Sequence, residues 1–208
     1  MTKPQAVDFF ESTHRYFLKK NGKELVAVSK ALEITGVVNF DMVPFEQRER
    51  AAYMGECVHE VARLYGLERL DTDNLDPLLV GHFEAIKKYY AKQVARILFI
   101  ETIVYDERLG YAGTIDIVYQ DHKNRVCLDD FKTGEILPGA RFQLALYKHA
   151  FEKNYAIPVD ERASVYVNGD GTFDPARDRV VYKERQDFHD AMNILGTAYI
   201  KMKYKIKT

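Results

Sequence analysis

The sequence of 208 residues has few cysteines, no long apolar run and no surplus of either charge. Only Cys57 and Cys127 occur, each in a segment that predicts regular structure, so neither a disulfide framework nor a multi-cysteine metal cluster is expected. No stretch approaches the roughly 20 apolar residues of a membrane helix. The acidic Asp8 and Glu11 stand where a signal peptide would be apolar. We therefore expect a cytoplasmic protein that does not bind membranes.

The sequence also lacks the surplus of basic residues that is typical of proteins that bind nucleic acid through its phosphates, since its net charge is -1. Two local groups of lysines are interpreted as a solvated helix face and a frayed tail. They are Lys19, Lys20 and Lys23, and Lys201, Lys203, Lys205 and Lys207 around Tyr204. With 47% hydrophobic residues, the length suits one well-packed domain over residues 1–208.

The first part of the chain predicts a β-hairpin followed by helices. Asn21-Gly22 is a strong turn signal within an N-terminal hairpin extension at about residues 8–28, and Ser29 is expected to cap a short helix. A helix is predicted from Pro44 to Tyr65, with Gly66 as its stop. Another should begin at Pro77 and run to about residue 93.

The second part predicts a sheet with a crossover helix. Three closely spaced strands at 97–105, 111–119 and 125–131 favour an antiparallel meander. A helix at 139–154, strands at 163–167 and 179–182 and a helix from about Gln186 complete the chain. This order predicts an α/β fold with a central mixed sheet flanked by helices.

The third meander strand ends in charged residues that suggest a functional site. Because side chains alternate across a strand, Asp130 and Lys132 project to one face, and Asp129 and Phe131 project to the other. Taken alone, Asp130 and Lys132 would be interpreted as a salt bridge at the end of a strand.

The preceding strand adds a second carboxylate. Asp116 lies between isoleucines in a segment that predicts a buried strand, where a charge requires a cation or hydrogen bonds. If the strands are neighbours, Asp116 and Asp130 can converge on a hard divalent cation, with Lys132 beside it. Such a metal polarises a phosphoryl oxygen and lowers the pKa of bound water, which is the chemistry of phosphodiester hydrolysis.

These residues resemble the PD-(D/E)XK nuclease superfamily, and within it the RecB-like exonucleases. The strand motifs G-x-x-D and D-x-K are matched by Gly113 to Asp116 and by Asp130 to Lys132. Further matches are the Gln143 and Tyr147 pair on the following helix, a helical histidine at Gly55 to His59, and Glu101. The opening residues Phe10, His14, Tyr16 and Gly22 are similar to the start of phage-type members.

The resemblance implies a restriction-endonuclease-like core and a site for Mg²⁺ or Mn²⁺. It implies that His59, Asp116, Asp130 and the main-chain carbonyl of Phe131 bind the metal, with Glu101 as a second-site or indirect ligand. Lys132 would position the attacking water, and Gln143 and Tyr147 would contact the nucleic-acid backbone. The implied substrate is DNA processed from an end, in phage-type recombination or repair. An iron-sulfur cluster is not expected, because the four cysteines of the relatives that carry one are missing.

Other interpretations remain open. The alternatives to an exonuclease are a site-specific endonuclease of the same fold and a nucleic-acid-binding module without activity. Without the resemblance, His59 would be interpreted as an ordinary helix histidine, and Gln143 and Tyr147 as a packing pair. His14, His82, His122 and His149 have no defensible ligand spacing, and Asp129 is expected to face away from the site.

Overall fold

The computed structural model describes residues 6–39, 43–134, 139–174 and 184–206. The strands are β1 (Val7–Phe10), β2 (Arg15–Leu18), β3 (Glu24–Ala27), β4 (Arg96–Asp106), β5 (Tyr111–Gln120), β6 (Val126–Lys132), β7 (Glu161–Val167) and β8 (Phe173–Asp174). The α-helices are α1 (Val28–Ile34), α2 (Phe45–Gly66), α3 (Val80–Gln93), α4 (Ala140–Tyr155) and α5 (Glu184–Tyr204). Short 3-10 helices cover Glu11–Thr13 and Pro77–Leu79.

All eight strands belong to one mixed sheet, in the order β1-β2-β3-β5-β6-β7-β8, with β4 also paired to β5. The β3–β5 and β6–β7 pairs are parallel, and the others are antiparallel. Because β4 runs along the length of β5, β3 and β6 share its other edge. There β3 pairs with Tyr111 and Ala112, and β6 pairs from Ile117 onward. Residues 113–116 of β5 therefore lie between the part of this edge that pairs with β3 and the part that pairs with β6.

The helices cover the two faces of the sheet, as expected for an α/β fold. One core contains Leu32 of α1, Leu144 of α4 and Leu195 of α5, packed on the sheet. The other contains Val58 of α2 and Ile86 of α3. The predicted mixed sheet flanked by helices, with an antiparallel meander and a crossover helix, is confirmed.

The N-terminal hairpin is confirmed, and it joins the main sheet through β3. Gly22 lies in the turn with φ +66°, a left-handed conformation that glycine adopts without steric cost. Buried Tyr16 and Leu25 pack against Ala112 of β5. The prediction that Ser29 caps the next helix is wrong. The chain passes directly from β3 into α1, so the N-cap position is Ala27 and makes no side-chain capping bond.

The other predicted elements are present with shifted ends. Pro77 opens a 3-10 turn rather than an α-helix, since the Asp76 carboxylate accepts a hydrogen bond from the Leu78 N–H at 2.8 Å. The short strand β8 was not predicted. The strand predicted at 179–182 lies outside the described residues. Because α5 continues to Tyr204, Lys201 and Lys203 lie on a helix rather than on a frayed tail. Among the described ranges, no helix has the length and apolar character to cross a membrane.

Candidate metal site

The alternation of side chains in β5 changes phase at Asp116. Ile115 and Ile117 are two residues apart and should share a face, yet Ile115 belongs to the core under α4 and Ile117 to the core under α2 and α3. In the neighbouring strand, Glu101 lies between the positions that pair with these isoleucines and has φ +45°. Left-handed backbone is uncommon outside glycine, costs about 1–3 kcal/mol and clusters at functional sites. The irregularity places Glu101 opposite Asp116.

Glu101 and Asp116 meet a histidine from α2. One potential ligand atom each from His59, Glu101 and Asp116 lie within 4.8 Å of one another. The His59 Nδ1 is 3.2 Å from an Asp116 carboxylate oxygen. The two carboxylates are donors that suit Mg²⁺ and Mn²⁺. The fold therefore brings together three residues of the predicted ligand set from α2, β4 and β5.

Asp130 and Lys132 lie beside this group at the end of β6. The Lys132 ammonium forms an ion pair with Asp130 and donates to the Gln143 side-chain carbonyl at 3.2 Å. The Gln143 amide in turn donates to Asp130 at 3.3 Å and to the Tyr147 hydroxyl at 2.9 Å. Among the described residues, the cluster of three potential ligands does not include Asp130. Its carboxylate is instead engaged by Lys132 and Gln143.

Phe131 connects the two strands through its backbone. Its N–H donates to an Asp116 carboxylate oxygen at 2.6 Å. The ligand expected at this position is the carbonyl of Phe131, whereas the contact found here is made by its N–H. This bond fixes the orientation of Asp116 relative to β6, because it joins the end of one strand to the carboxylate of the other.

The pKa values of His59 and Glu101 reflect crowded negative charge. Burial lowers the pKa of His59, but the charges of Asp116 and Asp130 and the bond to Asp116 outweigh burial and raise it to about 9. Burial and the charge of Asp116 raise the pKa of Glu101 to about 8, against the opposing charge of His59. At neutral pH both residues therefore hold a proton when no cation is bound.

The pKa values of Asp116 and Asp130 are shifted in opposite directions. Burial raises the pKa of Asp116, but His59, Lys132 and the Phe131 N–H outweigh it, so this pKa is lowered. For Asp130, burial and the charge of Asp116 prevail over Lys132, and the pKa is raised. Burial lowers the pKa of Lys132, but Asp130 and Asp116 prevail and raise it. A divalent cation fits this site because it would replace the protons that now neutralise it.

Asp129 faces away from the site, as strand alternation predicts. One of its carboxylate oxygens accepts hydrogen bonds from the hydroxyls of Tyr89 at 2.8 Å and Tyr119 at 2.9 Å. Both tyrosines lie in the core under α2 and α3. Asp129 is thus a buried residue on the opposite face of β6 from Asp130.

Two contacts that support the site were missed by sequence reasoning. A Cβ atom at Gly113 would overlap the Tyr147 ring, with Cζ at 3.0 Å, so only glycine lets α4 approach β5 this closely. The buried Tyr16 hydroxyl lies 3.0 Å from the Thr114 hydroxyl, which fixes the hairpin to β5 near Asp116. The strand motif contains Gly113 but does not show what packs on it. Nothing in the sequence links Tyr16 to Thr114 across 98 residues.

A cleft of about 880 Å³ opens beside Lys132 and Gln143. Residues of β2, β3 and α1 form part of its wall, including Arg15 and Lys30. Glu56 of α2 and Met202 of α5 line it as well. The polar end of β6 is therefore accessible from a concave surface, which is where ligands usually bind.

Comparison with known proteins supports the fold and leaves the family undetermined. No family model matches the sequence, and no curated protein matches it. The crystal structure of a protein from Eubacterium rectale named "Putative exonuclease" aligns with 99% of this chain and 88% of its own, at 14% identity and a TM-score of 0.53. At this identity the likeness shows that the two proteins share a fold. The structure of SSO0001 aligns with 84% of this chain and 75% of its own, also at 14% identity, but its TM-score of 0.42 is too low to carry an argument.

Proposed function

We propose that this chain is a divalent-metal-dependent nuclease of the PD-(D/E)XK superfamily, in its RecB-like branch, and that it hydrolyses DNA phosphodiester bonds as an exonuclease. The observation that carries the proposal is the meeting of His59, Glu101 and Asp116 beside the Asp130–Lys132 pair at the end of β6. The name of the Eubacterium rectale protein, which shares the fold, supports the same class of activity.

In this proposal, the cation is Mg²⁺ or Mn²⁺, held by His59, Asp116, Asp130 and the Phe131 carbonyl, with Glu101 as a further ligand. The bound metal would polarise the phosphoryl oxygen and lower the pKa of its water. Glu101 must release its proton to act as a ligand, which an adjacent cation favours because it removes the repulsion from Asp116.

Lys132 is proposed to orient the attacking water and to stabilise charge on the phosphate in the transition state. The water would release a proton to solvent as it attacks phosphorus, the bond to the leaving oxygen would break, and that oxygen would take up a proton from solvent. The raised pKa of Lys132 supports an ammonium that stays charged, and the contacts with Asp130 and Gln143 hold it in place.

Gln143 and Tyr147 are proposed to hold Asp130 and Lys132 in position and to contact the nucleic-acid backbone. Gln143 is suited to this role because it bonds to three groups of the site at once. Phosphate contacts carry no base sequence information, so this arrangement predicts little sequence preference.

The test is a nuclease assay on purified protein with Mg²⁺ and with Mn²⁺, using linear and covalently closed circular DNA of the same sequence. Wild type should degrade linear DNA progressively and leave covalently closed circles intact. Asp116→Asn and Lys132→Ala should each lower the rate at least about 100-fold. Asp73→Asn, which changes an exposed carboxylate outside the site, is the matched control and should keep the wild-type rate.

The result distinguishes three functions. Cleavage of closed circles at defined positions would establish a site-specific endonuclease instead. If wild type binds DNA but leaves single-stranded, double-stranded and RNA substrates intact with both metals, the chain is a binding module. If Asp116→Asn and Lys132→Ala are as active as wild type while folded, the assigned site is wrong.

A further inference from the structure

A serine of β7 lies beside one of the candidate metal ligands. In the parallel ladder of β6 and β7, Asp130 pairs with Ser164, and Asp129 pairs with Ala163. Neighbouring strands are about 4.8 Å apart, and paired residues project their side chains to the same face of the sheet. Ala163 lies in the core under α2 and α3, so Ser164 projects to the other face, where Gln143 of α4 contacts Asp130. The strand therefore places a hydroxyl next to Asp130 and a methyl group next to Asp129.

This hydroxyl is buried, and none of the described residues forms a hydrogen bond with it. Ser164 is 1% exposed, and its Oγ atom is shielded from solvent. Most buried polar side-chain atoms in folded proteins have a partner, because burying a hydroxyl without one costs free energy. Alanine at this position would avoid that cost. The presence of serine therefore suggests a partner that the hydroxyl gains in another state of the site.

Asp130 offers an acceptor for this hydroxyl. Its Oδ1 atom accepts a hydrogen bond from the Gln143 amide at 3.3 Å. Its Oδ2 atom is in ion-pair contact with Lys132 but accepts no hydrogen bond from the part of the chain that the structure describes. An ionised carboxylate can accept about four hydrogen bonds. Asp130 can therefore accept a bond from Ser164 and keep its bond to Gln143.

A divalent cation at the site would favour this bond over the contact with Lys132. The cation and the Lys132 ammonium are both positive, so they repel each other when they share the Asp130 carboxylate. A serine hydroxyl is neutral, so it can donate to the same carboxylate without that repulsion. Carboxylates that bind metals are usually oriented by a hydrogen bond from a neighbouring group. Ser164 is suited to provide that bond because it is the residue paired with Asp130.

We propose that Ser164 is a positioning residue, whose hydroxyl donates a hydrogen bond to the Asp130 carboxylate when a divalent cation is bound and so orients Asp130 as a ligand. The inference rests on the proposed function and adds a residue of β7 to its metal site. Ser164 acts through Asp130 and contacts neither the cation nor the substrate. Loss of its hydroxyl should therefore weaken metal binding and leave the fold intact.

The experiment measures Mn²⁺ binding by calorimetry at pH 8 and urea unfolding in EDTA, so neither readout depends on cleavage. Ser164→Ala should weaken Mn²⁺ binding about tenfold, since losing a group that orients a ligand typically reduces affinity by about 10–100-fold. Its urea midpoint in EDTA should equal or exceed that of wild type, because the hydroxyl makes no bond to the described residues. A hydroxyl that served only the fold would give a lower midpoint and an unchanged affinity.

Tyr119→Phe is the matched control on the other face of β6. It removes a hydroxyl that donates to Asp129 at 2.9 Å, so it should lower the urea midpoint and leave Mn²⁺ affinity unchanged. Together, Ser164→Ala and Tyr119→Phe compare the loss of one hydroxyl beside each aspartate.

A double-mutant cycle tests whether Ser164 acts through Asp130. Asp130→Asn replaces the charged acceptor by a neutral one, and hydrogen bonds to charged groups are about twice as strong as those between neutral groups. In the Asp130→Asn background, Ser164→Ala should therefore weaken Mn²⁺ binding only about threefold or less. An equal, tenfold loss in both backgrounds would overturn the inference. So would unchanged affinity or a lower urea midpoint in Ser164→Ala, or a wild type that does not bind Mn²⁺.

The two proposals fail separately. If wild type cleaves no substrate, yet Ser164→Ala weakens Mn²⁺ binding as expected, the positioning role stands and the nuclease proposal is wrong. If wild type cleaves DNA and Ser164→Ala binds Mn²⁺ as tightly as wild type, the nuclease proposal stands and Ser164 does not orient Asp130.

Discussion

Two consecutive aspartates, Asp129 and Asp130, are buried to the same degree on opposite faces of β6 but have different partners. Asp129 is fully buried and accepts hydrogen bonds from two neutral hydroxyls, those of Tyr89 and Tyr119. Asp130 is 2% exposed and is held by the Lys132 ammonium and an amide. Burial alone therefore does not distinguish a structural carboxylate from a functional one.

The difference lies in what surrounds each carboxylate. The tyrosines around Asp129 are part of a packed core. Burial and the charge of Asp129 raise the pKa of Tyr89 well above its usual value, so the Tyr89 hydroxyl keeps its proton. Asp130 lies close enough to Asp116 for the two negative charges to interact, and its partner Lys132 lines the cleft. Carboxylates that repel each other at a concave surface are candidates for binding a cation.

The largest expected difference between the two aspartates is in activity. Asp130→Asn should lower the rate of DNA hydrolysis at least about 100-fold, because a metal ligand and the partner of Lys132 are both altered. Its free energy of unfolding should stay within about 1 kcal/mol of wild type or rise, since a repelling charge is removed. Asp129→Asn should retain most of the activity. Initial rates and urea unfolding measured on the same preparations test both statements, and similar losses of activity in the two variants would contradict the comparison.

The second prediction concerns the pH dependence of metal binding. It should depend on residues on the same face of β6 as Asp130 and should not depend on Asp129. In the metal-free protein the raised pKa values of His59, about 9, and Glu101, about 8, mean that both are protonated at pH 7. Mn²⁺ must displace about two protons, so its apparent affinity should fall by up to about 100-fold for each pH unit below 8. Calorimetric titration in buffers with different ionisation enthalpies counts these protons. Asp129→Asn should give the same count, and binding without proton release would refute the assignment of these ligands.

The third prediction concerns stability and should involve the Asp129 face. Asp129→Ala removes the acceptor used by both Tyr89 and Tyr119, which should lower the free energy of unfolding by about 3 kcal/mol. Tyr119→Phe should cost about 1 kcal/mol. In a double-mutant cycle the two changes should be non-additive, because they remove the same hydrogen bond. Urea unfolding measures all three variants, and additive effects would show that the tyrosine does not stabilise the carboxylate.

Much of the fold was predictable from local patterns. Alternation in β6 correctly separated Asp129 from Asp130, and the order of helices and strands gave the mixed sheet. Helix ends were less accurate, as with Ser29, because the start of α1 depends on how β3 joins it. The short strand β8 gave no signal of its own, since two residues are too few to show a period.

The geometry at Asp116 could not be predicted by alternation. A period of two residues assumes a regular strand, whereas the phase of β5 changes at Asp116 opposite the left-handed Glu101. The G-x-x-D pattern selected Asp116 without indicating that change. The steric role of Gly113 and the support from Tyr16 likewise depend on contacts between distant segments, which no local pattern contains.

The smallest effects are expected from alanine substitutions at two glycines, Gly113 and Gly55. Each precedes a candidate site residue, Asp116 or His59, in the sequence. Gly113→Ala would force the Tyr147 ring away from β5, so it should cost about 1–3 kcal/mol of stability and reduce activity through Gln143. At Gly55 in α2 the one contact that an added Cβ would make with the described residues is with the Thr133 hydroxyl, at 3.7 Å, which is ordinary contact. Gly55→Ala should therefore raise stability by up to about 1 kcal/mol through helix propensity. Urea unfolding and nuclease rates measure both. If Gly55→Ala is stable but inactive, the backbone at Gly55 contacts substrate, and the functional face extends beyond Asp130 and α4 onto α2.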